Sequence, residues 1–176
     1  MTLLARVHGV LEELGLPHAL IGAAALAVHG VSRSTLDLDL LVTDARALEA
    51  STWHVLEAGG ARVEIRLGDA DDPLVGVIRI EHGDERPVDV VVARGTWQDE
   101  ILRRASATRV ADADVPVATA PDVVLLKLYA GGAQDRWDVG QLLAGSDRDA
   151  IVAAVDTRIV QLPARCLVLW NDIRSA

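Results

Sequence analysis

The sequence predicts an α+β protein in which a mixed β-sheet is flanked by helices and followed by a small, mostly helical C-terminal part. Two observations predict the sheet, and a third predicts the helical C-terminal part. Strand-length apolar segments interleave with segments of helical periodicity, and turn-rich stretches join other strands as hairpins. Hairpins make antiparallel pairs and helical crossovers make parallel ones, so both together favour a mixed sheet. From Pro121 onward the pattern is mostly helical.

The first half of the chain alternates between the two periodicities. Apolar residues at helical spacing fill residues 3–14, and Gly15 follows as a stop signal. A short apolar strand at 18–21 then leads through Gly22 into an alanine-rich helix ending near Gly30. Residues 36–42 alternate as a strand does, and residues 44–58 predict a helix capped by Thr43 or Asp44.

The later elements are predicted in the same way. The remaining predicted elements are strands at 62–67, 74–81 and 87–93, a helix at 97–104, a hairpin or extended pair within 108–118, and helices beyond it. We therefore expect a core over residues 1–95 and a mostly helical extension over 96–176 that packs on it.

Composition excludes several classes of function. Of the 176 residues, 51% are hydrophobic, so a core can form and disorder is not expected. No apolar run approaches the ~20 residues that cross a bilayer, and the start of the chain predicts an amphipathic helix rather than a signal peptide. We expect a cytoplasmic protein without a membrane partner. A net charge of −9 with 3% aromatic residues argues against a broad nucleic-acid surface.

Two carboxylates share one face of the strand at 36–42. Alternation places Asp37 and Asp39 on the face opposite the intervening leucines. Two nearby carboxylates repel each other unless a positive group lies between them, and Mg²⁺ prefers carboxylate and phosphate oxygens. The alternative is a strand with a polar outer face, although Asp is a poor strand former.

A third carboxylate, Asp89, lies in the apolar run Val88 to Val92. A charged residue in such a run is rarely buried unless it is paired or bound to a metal. The alternative is that Asp89 lies at the exposed start of its strand, beside Pro87.

The spacing of these residues resembles a known signature. Gly22-Ala23, twelve intervening residues and then Leu36-Asp37-Leu38-Asp39-Leu40 resemble the DNA polymerase β-like nucleotidyltransferase superfamily. The string from Ile21 to Asp37 is similar to that of minimal bacterial members such as the AbiEii-type toxins of toxin–antitoxin pairs. Arg33 and Thr35 match residues that such families carry before the aspartate pair. Ala23 departs from the usual Gly or Ser and cannot donate a side-chain hydrogen bond to phosphate.

The resemblance implies a nucleotidyltransferase-like fold and transfer of a nucleoside monophosphate (NMP) from a nucleoside triphosphate (NTP) to an acceptor hydroxyl. Asp37, Asp39 and Asp89 would hold Mg²⁺ or Mn²⁺, with Asp89 also helping to take the acceptor proton. The Gly22 and Ala23 amides, with Arg33 and Thr35, would bind the nucleotide.

Lys127 is the one lysine in the chain and interrupts a helix that is otherwise apolar. A buried ammonium needs a partner, which a triphosphate or an aspartate supplies; the alternative is a lysine that extends along the helix edge to water. The resemblance implies a catalytic role for Lys127 in charge neutralisation and places Asp138 near the nucleotide.

The acceptor stays open among RNA, a protein and a small molecule of the aminoglycoside type, and the acidic charge favours the last two. A rival prediction is a catalytically silent protein of the same fold that acts as a binding scaffold or pairs with a cognate antitoxin. A third is a structural domain whose aspartates keep a sheet edge soluble.

Overall fold

A computed structural model of the protein describes residues 1–32, 37–69, 72 and 74–175. The helices are α1 (Leu3–Glu13), α2 (Gly22–Val28), α3 (His54–Ala58), α4 (Thr96–Arg104), α5 (Ala120–Ala130), α6 (Ala133–Leu143), α7 (Arg148–Arg158) and α8 (Ala164–Arg174). The strands are β1 (His18–Ile21), β2 (Leu38–Val42), β3 (Arg62–Leu67), β4 (Leu74–Glu81), β5 (Val88–Ala93), β6 (Ser106–Val110) and β7 (Ala113–Val117). Within the described residues, no helix is long and apolar enough to cross a bilayer.

The strands form one mixed sheet, as the sequence predicts. Its order is β3-β4-β5-β2-β1-β7-β6. The pairs β2–β5 and β1–β7 are parallel, and the hairpin-linked neighbours β3–β4, β4–β5 and β6–β7 are antiparallel. Strand β2 therefore lies between β1 and β5, which places the two predicted aspartate segments side by side.

The chain divides into two compact units. The first contains residues 1–24 and 34–118 and holds the sheet, whereas the second contains residues 25–33 and 119–176 and is helical. In the first unit α1 buries Leu4, Val7 and Leu11, and β2 and β5 bury alternating leucines and valines. Each unit is made of two separate stretches of the sequence. The boundary predicted at residue 95 stays a prediction.

The helix predicted over residues 44–58 is wrong in its first two turns. The chain forms 3₁₀ turns at Ala45–Leu48 and Ala50–Trp53, separated by an extended Glu49, and only His54–Ala58 is α-helical. Side chains take the place of the helical hydrogen bonds, because Thr52 Oγ1 donates to the Arg46 carbonyl (2.7 Å) and Trp53 Nε1 donates to that of Ala47 (2.8 Å). Full burial of Trp53 stabilises this conformation over a regular helix.

Candidate active site

The three predicted carboxylates belong to the first unit, on neighbouring strands. Asp39 and Asp89 are direct partners in the register of β2 and β5, and Asp37 lies just before β2. Leu38 and Leu40 are buried while Asp37 and Asp39 are half-buried, as strand alternation predicts. Because β2 and β5 run parallel with Asp39 and Asp89 in register, these two residues lie on the same face of the sheet although they are far apart in sequence.

Arg79 on β4 connects two of these carboxylates. Its Nη1 donates to Asp89 Oδ2 (2.9 Å) and Oδ1 (3.2 Å), and its Nη2 donates to Asp37 Oδ1 (3.1 Å). Its Nε donates to Glu81 Oε1 (3.1 Å), and the hydrogen bonds to Glu81 and Asp37 raise the pKa of Arg79. One guanidinium thus supplies positive charge to Asp37 and Asp89 together.

Asp89 is the least exposed of the residues around Arg79, with 18% of its side chain accessible. Burial raises the pKa of the Asp89 carboxyl, and the negative charge of Asp37 adds to that effect. The guanidinium of Arg79 acts in the opposite direction but leaves the pKa above its ordinary value. A carboxylate with a raised pKa is a better proton acceptor, which is relevant to abstraction of a proton from a hydroxyl group.

Gly22 brings the end of β1 against Asp39. Gly22 has a left-handed φ of +64°, and Ile21 is the register partner of Asp39 across β1 and β2. A Cβ at position 22 would lie 2.1 Å from Asp39 Oδ2. Glycine is therefore required at position 22 because the Asp39 carboxylate occupies the space of a side chain. The sequence motif alone does not show this contact.

The donor set fits a hard divalent cation. Carboxylate oxygens are the ligands that Mg²⁺ and Mn²⁺ prefer, and two of the three carboxylates already converge on a cationic group. Arg79 competes with such an ion for Asp37 Oδ1 and for both carboxylate oxygens of Asp89. Arg79 is the participant that sequence reasoning missed. The signal for it was a charged residue in an apolar strand, at the position that antiparallel pairing sets opposite Asp89.

Replacing Arg79 by Met is expected to have opposite effects on the apo fold and on metal binding. Without metal, the unfolding free energy should fall by about 1–2 kcal/mol, because Asp37, Glu81 and Asp89 lose a partly buried cation. Mn²⁺ should bind about tenfold more tightly, because no side chain competes for the carboxylates. Denaturant unfolding and calorimetric Mn²⁺ titration measure the two effects.

The matched control is Arg62→Met, which removes an exposed arginine that pairs with Glu64 and Glu81. This variant should leave the Mn²⁺ affinity unchanged. Weaker Mn²⁺ binding in Arg79→Met would mean that Arg79 assembles the cation site instead of competing for it.

A cavity of about 250 Å³ opens beside these groups. Asp89 and Arg79 form part of its wall, and residues of β3 and β4 line it together with Gly68 and Asp72. The Asp89 carboxyl, whose pKa is raised, therefore borders an open cavity.

Two further predicted residues meet in the second unit. Lys127 on α5 contacts two aspartates of α6, with Nζ 2.8 Å from Asp135 Oδ1 and 2.8 Å from Asp138 Oδ2. Asp138 is fully buried. Burial lowers the pKa of Lys127, but the two aspartates outweigh it, and the net shift is upward. The partner that a buried ammonium needs is therefore a pair of local carboxylates. Arg33 and Thr35 lie outside the described residues.

Comparison with known proteins gives one curated relative and a set of similar folds. No family model matches the chain. The chain is 37% identical over 116 residues to the UPF0053 protein MT1890 of Mycobacterium tuberculosis (strain CDC 1551 / Oshkosh). That match covers 63% of the chain but only 25% of the relative, so the chain spans about a quarter of the relative's length.

Solved structures identify the fold. The antibiotic-resistance factor ANT(2″)-Ia, crystallised with adenylyl-2″-tobramycin, aligns at TM-score 0.59 and 17% identity, covering 90% of this chain and 96% of that one. The lincosamide antibiotic adenylyltransferase LnuA aligns at 0.51 and 15%, covering 79% and 93%. A protein of Thermotoga maritima assigned to the nucleotidyltransferases, TM1012, aligns at 0.53 and 10%, covering 80% and 90%. The chain therefore has the nucleotidyltransferase fold, with Asp37, Asp39 and Asp89 grouped on its sheet.

Proposed function

We propose that this chain transfers an NMP from an NTP to an acceptor hydroxyl, releasing pyrophosphate. One observation carries the proposal: Asp37 and Asp89, 52 positions apart, both accept hydrogen bonds from the guanidinium of Arg79, and Asp39 is the register partner of Asp89. Such a concentration of carboxylates on a nucleotidyltransferase fold suits a metal-bound triphosphate better than a solvated sheet face. The polymerase β-like resemblance supports the same reaction.

Mg²⁺ or Mn²⁺ would be held by Asp37, Asp39 and Asp89, and the ion would neutralise the charge of the triphosphate. The chain supplies the remaining groups. As the resemblance implies, Asp89 also helps to accept the proton of the acceptor hydroxyl. The backbone amides of Gly22 and Ala23 hold phosphate oxygens through the turn that starts α2.

The resemblance extends the nucleotide site to four other residues. Arg33 and Thr35 would bind the nucleotide from the segment before the aspartate pair. Lys127 would neutralise charge on the leaving pyrophosphate, and Asp138 would orient that lysine through their ion pair.

For the acceptor, we favour a small molecule of the aminoglycoside type over RNA or a protein. The net charge of −9 suits a cationic acceptor and disfavours an extended phosphate backbone. Both ANT(2″)-Ia and LnuA are named for action on antibiotics. An AbiEii-like role within a toxin–antitoxin pair is the alternative, with a cognate antitoxin as partner. Because the NTP donor is an intracellular metabolite, the reaction is proposed to be cytoplasmic.

A second candidate function is a silent member of this fold that acts as a scaffold. The observation that favours it is Arg79, whose guanidinium already compensates Asp37 and Asp89 without a metal. Ala23 adds to this, since it lacks the hydroxyl that a serine would offer to phosphate. In this case protein partners, including an antitoxin, replace the nucleotide as ligands.

The test is calorimetric titration of each NTP with Mg²⁺ into the wild type and into Asp37→Asn/Asp39→Asn. Binding that requires Mg²⁺ and disappears in the double variant supports transfer and justifies a screen of hydroxyl acceptors. The matched control is Asp114→Asn, which changes an exposed aspartate on β7 and should bind as the wild type does. Absence of binding by folded wild-type protein would reject transfer in favour of the scaffold.

A further inference from the structure

A second group of potential metal ligands lies in the first unit, away from the three aspartates. His8 and Glu12 project from α1 one helical turn apart, and His18 is the first residue of β1. Each offers one ligand atom, and these atoms all lie within 4.8 Å of one another. His18 is buried, His8 is half-buried and Glu12 is exposed, so the group reaches from the core to solvent.

The turn between α1 and β1 brings these residues together. Gly15 has a left-handed φ of +61°. Its N–H donates to the Glu12 carbonyl (3.0 Å), and the N–H of Leu16 donates to the Leu11 carbonyl (2.8 Å). These two bonds define a Schellman motif, which ends the helix and turns the chain back. The start of β1 therefore lies opposite the last two turns of α1, with His18 facing His8 and Glu12.

The hydrogen bonds of His18 fix which nitrogen is available. His18 Nδ1 lies 2.8 Å from the Leu16 carbonyl oxygen, which can only accept, so Nδ1 carries the proton. In the neutral ring, this tautomer leaves Nε2 without a proton. Its Nε2 lone pair is then directed at His8 Nδ1, at 2.7 Å. A histidine that donates one ring N–H to a backbone carbonyl and presents the other nitrogen is typical of metal ligands.

We propose that His8 Nδ1, a Glu12 carboxylate oxygen and His18 Nε2 bind Zn²⁺, with water in the fourth position. Two imidazole nitrogens and one carboxylate suit Zn²⁺, whereas Mg²⁺ prefers oxygen ligands only. His8 binds as the tautomer that carries its proton on Nε2, and His18 needs no change of protonation. Nitrogens bound to tetrahedral Zn²⁺ at about 2.0–2.1 Å lie about 3.3 Å apart, so the two rings separate by roughly 0.6 Å.

This site is independent of nucleotidyl transfer. Bound Zn²⁺ joins the C-terminal half of α1 to the first residue of β1, and it stabilises the folded unit by an amount that grows with the logarithm of the Zn²⁺ concentration above Kd. We therefore expect Zn²⁺ to raise the melting temperature of the whole protein whether or not the three aspartates are intact.

The test is calorimetric Zn²⁺ titration of the full chain without a histidine tag, in an Asp37→Asn/Asp39→Asn background that weakens the other site. One equivalent of Zn²⁺ should bind, and His8→Gln or Glu12→Gln should weaken it by at least about tenfold. The matched control is His54→Gln, an exposed histidine on α3, which should bind as the background does. Co²⁺ in place of Zn²⁺ should give the intense visible absorption of four-coordinate cobalt, which His8→Gln abolishes.

Melting temperatures measured in chelator establish that each variant is folded before titration. His18 is left intact because it is buried and bonded to Leu16. Unchanged Zn²⁺ affinity in both His8→Gln and Glu12→Gln would overturn the site, as would a folded background protein that binds no Zn²⁺ at micromolar concentration.

Discussion

Asp39→Asn is expected to reduce NMP transfer by at least about 10³-fold, a loss of about 4 kcal/mol in transition-state stabilisation. The substitution removes one negative charge but keeps the size of the side chain against Gly22. Asparagine cannot replace a carboxylate as a ligand for Mg²⁺ at comparable strength. Because Asp39 is half-buried on a strand whose neighbours stay in place, the unfolding free energy should change by less than about 1 kcal/mol.

The measurement is the release of pyrophosphate from Mg²⁺-NTP with an accepted hydroxyl substrate, together with denaturant unfolding of each protein. Asp114→Asn is the control, since it makes the same chemical change at an exposed position on β7 and should keep full activity. Wild-type kcat/KM in Asp39→Asn would contradict the proposed role of the β2 carboxylates.

Gly22→Ala is expected to cause the second largest loss of NMP transfer, for two reasons that can be separated. An alanine at φ +64° costs about 1–2 kcal/mol in any left-handed position. In addition, its Cβ would lie 2.1 Å from Asp39 Oδ2, so the carboxylate has to move. A displacement of about 1 Å at a reacting group can cost about 10²-fold in rate. We expect a loss of stability of about 1–3 kcal/mol and a loss of transfer of about 100-fold.

Gly15→Ala separates the two reasons. Gly15 has nearly the same φ, +61°, but a Cβ there meets no atom within 4 Å. The unfolding free energy of this variant should fall by the cost of placing alanine in the left-handed conformation. Its NTP binding and turnover should stay at the wild-type level. Equal losses of activity in Gly15→Ala and Gly22→Ala, both measured well below their melting temperatures, would mean that stability alone explains the effect.

The two proposed cation sites differ in how the chain prepares them. Near Asp37 and Asp89 an arginine already supplies positive charge, so a metal competes with it for the carboxylate oxygens. Near His8 and His18 the two rings share a hydrogen bond, so a metal has to separate them. Metal binding at the first site therefore weakens the ion pairs of Arg79, whereas at the second site it breaks the hydrogen bond between His8 and His18.

Much of the sheet could be predicted from the sequence because its determinants are local. Period-two alternation marked β2, and turn residues marked the hairpin between β3 and β4, since both features depend on neighbours along the chain. The same alternation placed Asp37 and Asp39 on one face. The prediction of one helix over residues 44–58 was wrong because burial of Trp53, which is a tertiary effect, outweighs the helical pattern there.

Spacing along the chain was enough to predict the strands, most of the helices, the glycine turn and the common face of Asp37 and Asp39, because these features depend on nearby residues. The side-chain contacts of these residues depend instead on how the strands pair. Arg79 faces Asp89 because β4 and β5 pair in one register, and Asp39 fills the space above Gly22 because β1 and β2 pair in another. His18 joins His8 because a left-handed glycine turns the chain between them. Pairing register and chain reversal bring together residues that are distant along the chain, so no local pattern specifies these contacts.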